Sequence, residues 1–200
     1  MDIEEKLHTQ PIIFRIFLRL VIWVGHLGSW FVIPLIATVI VSIILSILRI
    51  GIVYQWETSI PLFGNQLTLI GLGELQWHFF GVMIFFTGAW VMLKDKHVKV
   101  DLIYGRCSKK FQLWVNILGN IFLLLPFCLV LLWSSITFVS RAYAVAEHSL
   151  YDGLIDRFLI KSVLPIGFLL LIVVGVILTY LDIAALTKEI KSSHTQKEIQ

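Results

Sequence analysis

Apolar residues run almost unbroken over four stretches of this chain: Ile22 to Leu48, Phe79 to Leu93 with a more polar lead-in from Glu74, Phe111 to Val139, and Ile160 to Leu181. Each stretch supplies the roughly 20 residues that a helix needs to cross about 30 Å of hydrocarbon. The pattern predicts an all-α integral membrane protein in one domain, residues 1–200, with four transmembrane helices at about 22–48, 74–93, 111–139 and 160–182. The loops then fall at 49–73, 94–110 and 140–159. Before the first span, Phe14, Phe17 and Leu18 interleave with Arg15 and Arg19, which fits either a short in-plane interfacial helix or a longer first helix with a charged end. A second short interfacial helix is expected around Arg106 to Gln112, after the second span. The first loop is apolar. Tyr54, Trp56, Ile60, Leu62, Phe63, Leu67, Leu69 and Ile70 flank a turn at Gly64 and Asn65, the pattern of a small hairpin or of an interfacial loop with its aromatics at headgroup level.

Composition reinforces the membrane reading. Hydrophobic residues make up 58% of the chain and charged residues 14%, well short of the roughly 25% charged in soluble domains. The acids, Pro11, Arg15 and Arg19 ahead of the first long run do not resemble a cleaved leader, so the first span is expected to stay. Twelve of the sixteen basic residues fall on one side: Lys6, Arg15, Arg19, Lys94, Lys96, Lys99, Arg106, Lys109, Lys110, Lys188, Lys191 and Lys197. Arg49, Arg141, Arg157 and Lys161 fall on the other. Because basic loops stay in the cytoplasm, both termini and the 94–110 loop are expected there. The net charge of +3 is therefore topological information and carries no implication of nucleic-acid binding.

Polar residues within spans are costly and so informative. Glu74, Trp77, His78, Gly81, Phe85 and Gly88 recur at steps of three and four, forming one stripe expected to face protein, with a carboxylate seeking a donor at its outer end. Glu74 as a solvated interfacial residue and Trp77 as a belt anchor is the alternative. Asn116, Gly119 and Asn120 cluster on the third span as hydrogen-bonding glue; Thr38, Ser42 and Ser46 form a small-residue face on the first, and Gly175, Thr179 and Asp182 another on the fourth.

Reactive constellations are not expected. His26, His78, His97 and His148 fall at different depths or on opposite sides, against a haem held between facing imidazoles; Cys107 and Cys128 do not form a close pair. No phosphate loop, nucleophile elbow or paired-histidine zinc motif occurs, and no internal repeat of the kind found in many stand-alone carriers.

The run Glu74-Leu75-Gln76-Trp77-His78-Phe79-Phe80, then Gly88-Ala89-Trp90, then His97-Val98-Lys99-Val100-Asp101 with Tyr104, and finally Ile160 to Phe168 with Pro165 and Gly167, resembles the small membrane subunit of tripartite ATP-independent periplasmic (TRAP) transporters, the DctQ-like family. The resemblance extends over about residues 15–185, and the apolar first outer loop departs from it. It implies a subunit of the bacterial inner membrane that braces a large membrane subunit, with lipids at the subunit interface. In such a system a periplasmic solute-binding protein delivers an organic acid, and sodium ions bound in the large subunit drive its import; no cofactor is implied in the small subunit. On this reading Glu74, Trp77 and His78 are assembly contacts near the outer surface, and His97, Lys99, Asp101 and Arg106 form a structured inner loop. Two other classes stay open: a haem-binding or other membrane anchor of a redox complex, and a stand-alone small carrier.

Overall fold

The computed structural model describes residues 12–94, 107–151 and 153–198. The first span is a helix interrupted once, α1 (Ile12–Trp30) and α2 (Val32–Ile47), parted by a single turn residue at Phe31, just before Pro34. A two-stranded antiparallel sheet follows, β1 (Ile52–Ile60) and β2 (Gly64–Thr68). Next come α3 (Leu69–Leu93) and a third span built of α4 (Lys109–Gly119), one π turn (Asn120–Leu124) and α5 (Leu125–Ala144). A four-residue helix, α6 (Phe158–Lys161), leads into α7 (Val163–Glu198). All four helical stretches are long and apolar enough to cross a membrane.

The hairpin corrects the all-α expectation. β-branched and aromatic residues alternate along Ile52, Tyr54, Trp56 and Ile60, and such side chains suit a pleated ribbon. The register pairs Ile52 with Thr68, Tyr54 with Leu67, Gln55 with Gln66 and Ile60 with Gly64, with irregularities between them. The turn lies at 61–63 rather than at Gly64 and Asn65, which belong to β2. Trp56 Nε1–H donates to the Gly64 carbonyl at 2.6 Å and closes the ribbon from its side. Thr68 then caps α3 by accepting from the Gly71 N–H at 3.0 Å, so the helix starts five residues earlier than expected.

Among the described residues no separate interfacial helix precedes the first span, because Leu18 and Val21 are buried in the core and carry α1 straight through. After the second span, residues 95–106 lie outside the described part of the chain; the described portion of the expected second interfacial helix, 109–112, is the first turn of α4, capped by Ser108. The fourth span outruns expectation most. At 36 residues α7 is about 54 Å long, well beyond one bilayer core.

Helix order in space differs from order in sequence. The first span packs on α3, α3 packs on α7, and α7 packs on the third span, giving a row first, second, fourth, third. Val21, Ala89, Leu170 and Val174 are buried where α1, α3 and α7 meet. Packing there is knob into hole: a Cβ on Gly25 would sit 2.4 Å from Trp90 Cβ, one on Gly28 2.7 Å from Phe86 Cβ, and one on Gly167 2.7 Å from Phe85 Cβ. Bulky residues of α3 thus occupy glycine notches in both neighbours.

Candidate functional site

The densest polar cluster lies at the hairpin end of the row, around Glu74 in the second turn of α3. Its Oε1 accepts from the Ser149 hydroxyl at 2.6 Å and from Arg157 Nη2 at 2.6 Å; its Oε2 accepts from the Leu154 N–H at 2.9 Å. A carboxylate with both oxygens engaged by charged and neutral donors is held far more firmly than one facing solvent. The 145–157 segment wraps this carboxylate because it also bonds to itself, Ser149 N–H to Leu154 O at 2.9 Å and Arg157 N–H to Glu147 O at 3.0 Å. Gly153 is required by space alone: a Cβ there would meet Glu74 Oε2 at 2.5 Å and Ser149 Oγ at 2.7 Å.

Two extensions make this a clasp between four parts of the chain. The Ile155 N–H donates to Leu62 O at 2.9 Å, which ties the hairpin turn to the same loop, and Gly64, at φ +66°, lies against the Ile155 side chain. Lys161 pairs with Glu147, and its ammonium sits 3.9 Å from the centre of the Phe138 ring. The result joins α3, the hairpin, the end of α5 and the start of the fourth span, with Glu74 bonded to the 145–157 segment and that segment bonded in turn to Leu62 and Lys161. His78 belongs to its margin: Nδ1–H donates to the Glu74 carbonyl at 2.6 Å, and Nε2 is buried without a partner among the described residues. This is a site of fixed connections, with nothing among the described residues arranged as a nucleophile and base.

The other sequence candidates scatter. Trp77 is 75% exposed and takes no part in the clasp. Gly81 and Gly88 have nothing within 4 Å of an added Cβ, so the expected close backbone approach to α3 does not occur at them within this chain; the glycines that do admit a neighbour are Gly25, Gly28, Gly167 and Gly175. Asn116 and Asn120 are half-buried on the third span, far along the chain from the clasp. His97, Lys99, Asp101 and Arg106 lie outside the described residues.

Sequence reasoning found Glu74 but missed Ser149, Gly153, Leu154 and Arg157. The available signal was the scarcity of cations on that side, where an acid embedded in an apolar helix has few bases to choose from. It also missed Gln76, whose Nε2 donates to Ser42 Oγ at 2.9 Å and to Thr38 O at 3.4 Å, joining α3 to α2.

Residues 61–185, which hold the entire Glu74 clasp and three of the four spans, match the sequence profile of the family described as tripartite ATP-independent periplasmic transporters, DctQ component. The chain belongs to this DctQ family. The match begins inside the hairpin, so the first span, included in the resemblance read from the sequence, lies outside it. None of the curated proteins compared with the chain matches it. As a DctQ component the protein belongs to a transporter and not to an enzyme family, and its four candidate spans make it a membrane protein.

Proposed function

We propose that this DctQ protein is the small membrane subunit that braces the large permease subunit of a TRAP transporter, importing an organic acid that a periplasmic solute-binding protein delivers. Sodium ions bound in the large subunit drive the import, and this chain holds no cofactor. The protein sits in the bacterial inner membrane with the hairpin and the 145–157 segment outside and both termini inside, the orientation that the basic-residue bias favours. The observation that carries the reading is the family match across the clasp and the last three spans. The Glu74 clasp supports a bracing role, because it fixes the ends of two spans to each other rather than leaving them to slide.

Purification from native membranes in mild detergent tests the proposal. A much larger polytopic protein recovered in equal amounts is the expected result, and liposomes holding both, with loaded binding protein outside, are expected to take up solute only along an inward sodium gradient. Uptake by this chain alone, or a haem absorption band in the purified chain, would overturn it.

A further inference from the structure

The third span closes one edge of the row, and its middle carries three features that set it apart from a regular lipid-facing helix. The first is Asn120, which opens the π turn. It lies about 15 Å along the helix from Lys110 and about 31 Å from Arg141, well inside the hydrocarbon. Its side-chain amide is half-buried and makes no hydrogen bond among the described residues. The second is Pro126, which brings no N–H to the carbonyl of Phe122 four residues earlier. The third is an open apolar groove of about 550 Å³ along the same turns, lined by Gly119, Phe122, Leu123, Leu124, Pro126 and Phe127, where a Cβ on Gly119 would meet nothing within 4 Å.

The opposite edge of the row differs. On the first span, Thr38 bonds to Pro34 O and Leu35 O, while Ser42 bonds to Val39 O and receives Gln76. The exposed His26 is about 10 Å along the helix from Arg19, and its ring lies 4.9 Å from that of Trp90. The mid-span hydroxyls there, at Thr38 and Ser42, are all bonded within the chain.

We infer that the third-span face around Asn120 is where this subunit docks the large membrane subunit, taking into the groove a transmembrane helix that bears a hydrogen-bonding side chain opposite Asn120. An acyl chain fills a groove equally well, but it leaves the amide unpaired, and an unpaired amide in hydrocarbon is costly. Only a polypeptide answers both features at once. The inference rests on the proposed role as a partner of the large subunit and adds to it which edge does the work.

The test uses the complete complex in its native membrane, with a photo-crosslinking residue at Leu123, 73% exposed, or at Ile40, 52% exposed on the other edge. Adducts to the large subunit from Leu123 and only lipid adducts from Ile40 are expected. The reverse result, or Leu123 adducts to a second copy of this chain, overturns the docking face while leaving the role of the subunit intact. If no large subunit accompanies the unmodified chain at all, the role itself falls, and this inference with it. A second variant isolates the amide. Asn120→Leu removes an unpaired polar group, so the isolated chain should unfold at the same temperature or higher, yet affinity for the large subunit should drop about 3- to 30-fold, the span that one interhelical hydrogen bond covers in a bilayer. Asn120→Gln should restore most of it. A complex unchanged by Asn120→Leu overturns the assignment of the amide.

Discussion

Glu74 carries more of the hairpin end than any other single residue, since Ser149, Leu154 and Arg157 each bond to its carboxylate. Replacing it with Ala leaves a partly buried guanidinium and a backbone N–H without their acceptor, which costs about 3 kcal/mol. Thermal unfolding in detergent should show that loss, and protease accessibility of the 145–157 segment should rise with it. Gly153→Ala is expected to act nearly as strongly without touching a charge, because the new methyl overlaps the space of Glu74 Oε2. If Gly153→Ala unfolds like the parent, the clasp does not hold as described. At this scale the sequence revealed the demand but not its supply. An acid flanked by apolar residues announces a need for donors, whereas its partners lie 75 to 83 residues further on, in a segment whose composition gives no hint of where it folds back.

Among the elements, α3 shows how a stripe read from the sequence meets its neighbours at some positions and not at others. Within the stripe, Glu74 is clasped and Phe85 enters the Gly167 notch of α7, while Gly81 and Gly88 meet nothing in this chain; Phe86 and Trp90, off the stripe, enter the notches of α1. A helix wheel gives the angle between residues, not which angle meets a neighbour. Gly167→Leu should therefore destabilise the isolated chain by about 1–3 kcal/mol or more through overpacking against Phe85. Gly88→Ala should leave its unfolding unchanged, and the pair measured together distinguishes notch from open face. The hairpin offers a test of opposite sign: Leu62 holds φ 75° in the turn, a left-handed conformation unfavourable for a residue with a branched side chain. Leu62→Gly should relieve about 1 kcal/mol of that strain, partly offset by the greater freedom of the unfolded chain.

For the whole molecule, the row of spans in the order first, second, fourth, third leaves two outward edges where a closed four-helix bundle would leave none. An open row suits a subunit built to lie along a larger neighbour. Its proposed orientation predicts that, in a chain freed of Cys107 and Cys128, a cysteine at Thr58 on the hairpin is labelled by an impermeant reagent added outside, while one at Lys191 on α7 is labelled only after the membrane is opened. Labelling with the opposite sidedness would invert the orientation. Four stretches apolar and long enough to cross a membrane, the uneven distribution of basic residues among the loops and kinship to the DctQ family follow from the sequence by itself, because hydrophobic run length, charge placement and local motifs are properties of contiguous residues. The neighbours of each span, the clasp on Glu74, the glycines that serve as notches and the edge left unfinished at Asn120 were decided only by the tertiary structure. Each depends on contacts between residues far apart in the chain, and in lipid, whose tails are as apolar as the span surfaces, hydrophobicity alone does not choose among them.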